Sequence, residues 1–473
     1  CHQNGIAVIL DIALNHAFGR SPLVRMWMQD ADNDGWADAV ATTTENPYVK
    51  QYATHSYSVG SDLNHFREPD NLTNTYVVRT IRHWIQEYKI DGFRWDLSKG
   101  FTNNFTSDVN AWNQYNQDRI NTWQRYYDTM QVVSPGSYCI LEHLGNDDEE
   151  AELAKRGMML WGIMHSQFSQ NTKGFSSNAD INRAFWKNRS FWNDAFLNDK
   201  PHLITYAESH DEQRIMYDNI NGGNTANAAH NVRDTTIGLY RTEAMAAILM
   251  GLPGPKMIWQ FGELGYDYDI NFNGRLGNKP LRWDYYEKVS RRRLFETFSA
   301  MAKLRNQFKN TFRTPNLALG TNLGSSLVKT IVVDHADLKY VVVANFDVVQ
   351  QTPTVTFPAN GTFYDYTNGG TITVSGNQQA VTLQPGQYKV YINQNISGGV
   401  VTNIRDVVAS NADFRLAIYP NPVRQSATVK YELPKSGNVS VQLMNIQGQV
   451  LATKNLGFQL KGLQVFELNR TTI

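Results

Sequence analysis

The chain has 473 residues, and 44 acidic residues balance 44 basic ones, so the formal charge is zero and the sequence pI is about 7.3. That balance argues against nucleic-acid binding by bulk charge, which leaves a basic excess. With 41% hydrophobic and 19% charged residues the composition is globular, and the length suits about two to four domains.

The opening CHQNGIAVILDIALNH reads as a helix end, a stop at Gly5 and a buried strand over 6–12, so the sequence is expected to enter a domain part-way through. Further strand-like runs follow at 92–97, 138–142, 158–163, 203–207 and 256–261. Helical spacing fits between them, as at 74–88, where Val77, Ile81, Trp84, Ile85 and Tyr88 share a face, and at 241–250. This alternation is parallel βαβ construction. It suits a (β/α)8 TIM barrel truncated at its N-terminus to strands three to eight, or a doubly wound open sheet. The polar residues favour the barrel: Asn15, His16, Asp96, Glu142, His210 and Asp211 stand at or just past the C-terminal ends of four strands, where such barrels keep their active sites.

From about residue 311 the texture changes to short alternating β-branched runs with Asn-Gly, Gly-Gly and Pro-Gly turns. The expected organisation is a partial barrel over 1–310 with an excursion at 17–70, and an all-β domain over 311–394. A polar linker over 395–412 then leads to a small β-sandwich-like domain over 413–473, with hairpin signals at Ser436-Gly437 and Gln447-Gly448. Cys1 and Cys139 make no disulfide framework, and Cys139 reads as a buried thiol. No apolar run approaches the roughly 18 residues of a membrane-spanning helix.

Three acidic residues follow strand-like runs: Asp96 in DGFRWDLSKG, Glu142 in CILEHLG and Asp211 in AESHDEQR. Glycoside cleavage by double displacement needs a carboxylate nucleophile and a second carboxyl that gives, then takes, a proton. Arg94, two residues before Asp96 on the same strand face, would keep Asp96 ionised. Repulsion from Asp96 and Asp211 would keep Glu142 protonated. Singly these residues also read as a helix cap, an ion-pair partner or a satisfied core histidine; together and in order they are specific.

In that order they resemble the α-amylase superfamily, glycoside hydrolase family 13. DIALNH (11–16), GFRWDLSKG (92–100), ILEHLG (140–145) and SHD (209–211) are similar to its four conserved regions, and SDLNH (61–65) to a short region in the excursion after the third strand. The resemblance covers roughly residues 1–395. It implies that Asp96 is the nucleophile, Glu142 the general acid/base and Asp211 the transition-state stabiliser. His16, Arg94 and His210 would bind sugar at the cleavage subsite, and Lys99 the ring beyond it. Ser209 replaces the more usual Asn, and Trp95 a smaller apolar residue. Trp95 and Trp161 are candidates for stacking on sugar.

DADNDGWAD (30–38) has the oxygen-rich spacing of a calcium loop, with Asp30, Asp32, Asp34 and Asp38 as ligands and Gly35 at the turn. Ala41 takes the place of the usual final Glu, and an acidic surface turn is the alternative. The family resemblance implies a second calcium site at Asn15 and Asp62. The tail from Phe414, with LAIYPNPV (416–423), resembles the C-terminal sorting domain of the type IX secretion system, with an ordinary β accessory module as the alternative. The expected partners are an α-glucan and the type IX machinery, and the expected state is an extracellular or surface-attached monomer. The function expected first is an extracellular retaining hydrolase of α-1,4-glucans. Second comes an α-glucan transglycosylase or branching enzyme, and third a non-catalytic starch-binding protein.

Overall fold

Among the described residues of the first 210 there are seven strands, five of them from apolar runs and two short polar ones: β1 (Ile9–Ile12), β2 (His16–Ala17), β3 (Ser61–Asp62), β4 (Gly92–Trp95), β5 (Tyr138–Leu141), β6 (Met159–Ile163) and β7 (Leu203–Tyr206). The computed structural model describes residues 1–35, 43–66, 71–396, 416–419, 425–433, 436–444 and 450–469. Asp38, most of the expected linker and 420–423 of the LAIYPNPV run lie outside the described residues. Strands β1, β4, β5, β6 and β7 form one parallel sheet in that order, while β2 and β3 pair antiparallel. All four residues of β4 are buried, as the middle of a parallel sheet covered on both faces requires. Gly92 is obligatory there, because a Cβ would lie 2.2 Å from the Tyr138 carbonyl oxygen.

The sixth expected strand is not formed. Residues 256–261 contribute a single parallel bridge, Thr205 to Lys256. Pro253 and Pro255 precede the bridge, and the chain then turns through Phe261 at φ 63° into a 3-10 turn at Gly262–Leu264, so no ladder can extend.

The helices are α1 (Pro22–Arg25), α2 (Leu72–Tyr88), α3 (Val109–Trp112), α4 (Gln117–Val133), α5 (Asp147–Lys155), α6 (His165–Lys173), α7 (Ile215–Gly222), α8 (Thr235–Gly251) and α9 (Val289–Gln307). Helix α2 starts two residues before the predicted 74, because Asn71 accepts the Asn74 N–H at 2.8 Å and fixes the cap. Helix α8 starts six residues before the predicted 241. Asp234 caps it by accepting N–H groups from Thr236 and Ile237, and almost every residue from Gly238 to Gly251 is buried. A helix buried all round shows no polar stripe, so periodicity marks only part of it.

Helix α8 packs against α9 and against the antiparallel sheet that follows. The strands of this region are β8 (Val328–Val333), β9 (Tyr340–Asn345), β10 (Thr354–Thr356), β11 (Gly361–Asp365), β12 (Thr371–Val374), β13 (Gln378–Ala380) and β14 (Tyr388–Ile392), and five of them make that sheet. Its order is β12-β11-β14-β9-β8, with β10 and β13 paired separately. Strands and helices up to Val401 form one compact unit, and Thr402–Ile473 forms a second.

The second unit contains β15 (Leu416–Tyr419), β16 (Ser426–Leu433), β17 (Gly437–Met444), β18 (Val450–Gln459) and β19 (Gly462–Asn469). They form a β15-β16-β19 sheet and a β17-β18 pair, with Ala427, Val429 and Tyr431 buried. Ser436-Gly437 is therefore not a hairpin turn: it leads from β16 to β17, which belong to different sheets. No helix among the described residues is long and apolar enough to cross a membrane. Both cysteines are free.

Arg241 on α8 joins the parallel-sheet part of the first unit to its antiparallel sheet. Its fully buried guanidinium donates to Thr172 O at 2.5 Å, Asn171 O at 3.2 Å, Asp347 O at 3.3 Å and Phe346 O. Arg241→Met strands these carbonyls away from water, and a urea titration is expected to show a loss of about 3 kcal/mol. A loss under about 1 kcal/mol would mean that water replaces the guanidinium.

Candidate active site

Strand alternation sends Arg94 and Asp96 to one side of β4 and Trp95 to the other. Arg94 is 6% exposed and stacks over the Trp161 ring at 4.2 Å. Its Nη1 lies 2.7 Å from both Asp11 Oδ1 and Asp96 Oδ1, and its Nη2 lies 2.9 Å from Glu142 Oε1. The ends of β4 and β5 are tied by Glu142 N–H donating to Trp95 O at 3.1 Å and Ser98 N–H donating to Glu142 O at 3.0 Å. Leu97 follows Asp96 in the left-handed region, φ 42°, a strained conformation for a branched residue. That turn aims the Leu97 N–H at Glu142 Oε2, at 2.9 Å.

Carboxylate oxygens of Asp96 and Glu142 and a ring nitrogen of His210 all lie within 4.8 Å of one another. Burial first, and then the charges of Asp96 and Asp211, push Glu142 up to about 7, against the pull of Arg94 and the Leu97 N–H. Desolvation outweighs the like-charge repulsion expected from the three carboxylates.

Asp211 stands on the rim, its side chain 56% exposed, with Oδ2 3.3 Å from His210 Nε2 and Oδ1 3.7 Å from Arg275 Nη2. His210 packs its ring near Trp161 and Trp259, at 6.2 and 5.6 Å. His16, at the start of β2, accepts the Val59 N–H at 3.3 Å, and burial lowers its pKa against the pull of Asp96 and Asp62. Lys99 is turned inward: it donates to Leu144 O at 2.9 Å and to Asn113, and lies 4.3 Å over the Trp112 ring. Burial, then Arg119, lowers its pKa to about 8. Trp95 is fully buried among Phe93, Trp123 and Tyr126 and presents no face to a sugar. Trp161 is 5% exposed and carries Arg94 on its ring.

Several contributors have roles that pairing and packing reveal and spacing alone does not. Asp11 is an ordinary strand residue until β1 pairs with β4 and sets it opposite Arg94. Behind the site, His143 links Ser98 Oγ at 3.0 Å to Glu149 Oε1 at 2.9 Å. Arg119 grips the same carboxylate through Nε at 2.6 Å and Nη2 at 2.7 Å. Against burial, His143 and Arg119 hold Glu149 down to about 2.

The two expected metal sites differ in fit. Asp30, Asp32 and Asp34 bring carboxylate oxygens within 4.8 Å of one another. Asp34 N–H donates to Asp30 Oδ1 at 3.0 Å and Gly35 N–H to Asp30 Oδ2 at 3.1 Å, closing a turn with Gly35 at φ 83°. This acidic turn fits a hard cation. At the second site both oxygens of a single buried carboxylate accept side-chain hydroxyls. Asp62 accepts Thr54 N–H at 2.6 Å, the Thr54 hydroxyl at 2.5 Å and the Ser58 hydroxyl, while Asn15 Oδ1 accepts His16 N–H at 2.8 Å. Asn15 and Asp62 do not fit a calcium ion.

A family model described as a secretion system C-terminal sorting domain matches residues 417–470. A maltogenic α-amylase of Bacillus acidopullulyticus is 23% identical over 226 residues, 46% of this chain and 34% of the relative, so the match spans about a third of that protein. The α-amylase of Geobacillus thermoleovorans superposes with TM-score 0.54 at 15% identity, covering 84% of this chain and 79% of that one. A cyclomaltodextrin glucanotransferase with a three-domain ABC distribution gives TM-score 0.58 at 16% identity, covering 84% and 77%. The parallel-sheet domain thus matches amylase TIM barrels, and antiparallel β regions follow it. The chain has the fold of the α-amylase family, glycoside hydrolase family 13, and homologues within it, and residues 417–470 match a type IX sorting domain that implies secretion to the outer surface.

Proposed function

We propose that this chain hydrolyses α-1,4-glucosidic bonds of starch-like glucans with retention of configuration. The observation that carries this reading is the spacing of Asp96 and Glu142, whose nearest oxygens lie within 4.8 Å. Retaining enzymes hold their two carboxyl groups about 5–5.5 Å apart, and inverting ones about 6.5–9.5 Å, to make room for a water. Glu142 protonates the glycosidic oxygen while Asp96 attacks the anomeric carbon, and the leaving chain departs with that proton. Glu142, now a carboxylate, takes a proton from water, which displaces Asp96 and releases the sugar. Arg94 positions Asp96 through the 2.7 Å contact of its Nη1 with Oδ1, His16 and His210 donate to sugar hydroxyls, and Asp211 steadies the oxocarbenium-like charge. The G. thermoleovorans relative was crystallised with acarbose, which supports an oligosaccharide ligand. Residues 1–310 form the catalytic domain in this reading, 311–394 its β domain and 413–473 the sorting domain. The Asp30, Asp32 and Asp34 turn takes calcium.

On starch, the full-length protein is expected to release the α-anomer first, read by proton NMR within minutes of mixing. Initial β-anomer would overturn retention, and glucan extension in place of hydrolysis would move the assignment to a transglycosylase. Glu142→Gln is expected to lower kcat on starch about 10²–10⁴-fold but to spare the first-turnover burst of leaving group from an aryl glycoside whose leaving group needs no proton. Equal losses on both substrates would remove Glu142 from the acid role.

Glu142 also sets a pH dependence. Its folded pKa of about 7 lies above the ordinary 4.5, so the fold favours the protonated form. The stability this gives is full below about pH 4.5 and is lost as pH rises through about 7. Glu142→Gln is expected to gain on wild type across that window, by about 3 kcal/mol at most. Denaturant midpoints at pH 5 and pH 8 read it, and a gain that does not change with pH would refute the shift. Wild-type kcat should fall over the same rise as the acid loses its proton.

Chelation is expected to lower the wild-type Tm and to leave the Asp30→Asn/Asp32→Asn/Asp34→Asn variant unchanged. An unchanged wild-type curve in excess chelator would refute calcium at the turn.

A further inference from the structure

We infer that the ammonium of Lys50, and not a divalent cation, ties the 17–70 excursion to the barrel at Asp62. Asp62 is fully buried and lies on β3, the excursion strand that pairs with β2 at the barrel end. Lys50 runs alongside, its backbone N–H donating to Asp62 O at 2.8 Å. Its Nζ donates to Thr54 Oγ1 at 3.2 Å and to the carbonyl of Thr102, in the loop after β4. Thr54 passes the connection on, its hydroxyl donating to Asp62 Oδ2 at 2.5 Å and its N–H to the same oxygen at 2.6 Å. The relay therefore runs from barrel carbonyl to ammonium to hydroxyl to carboxylate, and it spans the two parts that a bridging metal would join.

Donor chemistry excludes the metal at the same place. Calcium needs about six to eight oxygens turned toward it at about 2.3–2.6 Å. Here Thr54, Ser58 and His55 Nε2, at 3.5 Å, face the Asp62 oxygens, and His16 N–H covers Asn15 Oδ1. Charge gives the same answer. One carboxylate and one ammonium balance, whereas a divalent ion added to them would leave two uncompensated positive charges in a buried site. The Asp30 turn is a separate matter, since it offers three carboxylates, with the Asp34 and Gly35 N–H groups closing its own turn.

The test uses the full-length protein carrying Asp30→Asn/Asp32→Asn/Asp34→Asn, so that remaining calcium binding reports on Asp62. Isothermal titration with calcium chloride is expected to give no saturable heat, and its Tm is expected to match in excess chelator and excess calcium. Saturable binding of one ion per chain, or a Tm that falls on chelation, would overturn the inference. Lys50→Met in the same background is expected to lower Tm by about 3 °C or more in chelator and calcium alike; an unchanged Tm would also overturn it. The titration is made with Lys50 intact and decides the question even if Lys50→Met does not accumulate. A failure of calcium binding at the Asp30 turn would leave this result unaffected.

Discussion

Three carboxylates, Asp11, Asp96 and Glu142, converge on the guanidinium of Arg94, and the geometry of the candidate site follows from that one buried cation. Without it, Asp96 and Glu142 at the ends of adjacent strands would have no positive charge between them, whereas Asp11, 64% exposed at its side chain, would still face water. The planar fork donates from Nη1 to Asp11 and Asp96 and sets Nη2 in an ion pair with Glu142, an arrangement with fixed angles that a lysine ammonium cannot give. The Trp161 ring beneath it limits its tilt. Arg94 thus sets how far apart the two central carboxylates stand, and that spacing carries the reading of retention.

The same cation leaves the two carboxylates unequal. Glu142 is 7% exposed at its side chain and Asp96 27%, so desolvation falls mainly on Glu142 and keeps its proton on near neutral pH. Depth, acting against the pull of the shared arginine, is what makes Glu142 the proton donor of the pair. Immediately behind, His143 points away from the site on the next position of the chain. Its link between Ser98 and the Arg119-held Glu149 fixes the loop that carries Leu97. The strained Leu97 is held from both sides, by the Glu142 carboxylate and by this network.

The strand-end carboxylates were legible because parallel βαβ order sends such ends to one face, and the structure brings Asp96, Glu142 and His210 together there. Trp95 was misread although the needed rule was in hand: the alternation that places Arg94 and Asp96 on one face must send Trp95 to the core. The lost sixth strand had its own warning in Pro253 and Pro255. Other features have no local signature. Helix α8 is too buried to be periodic, Lys99 could turn either way, and Asp11 becomes part of the site only when β1 and β4 pair. Burial as the main cause of the Glu142 shift is likewise a tertiary property, which spacing between charges cannot give.

The excursion matters to chemistry because His16 is its hinge partner. His16 pairs with Asp62 across β2 and β3, its N–H holds the Asn15 carboxamide, and Asn15 reaches on to Leu97 O at 3.5 Å. Any force that fixes Asp62 therefore fixes one wall of the site and the turn that follows Asp96. A metal ion would make that wall depend on ion supply outside the cell. A covalently attached ammonium has no such dependence, because its effective concentration at the carboxylate is set by the fold. For a chain whose sorting domain sends it to the outer surface, the tie nearest the chemistry is then the one that dilution cannot remove.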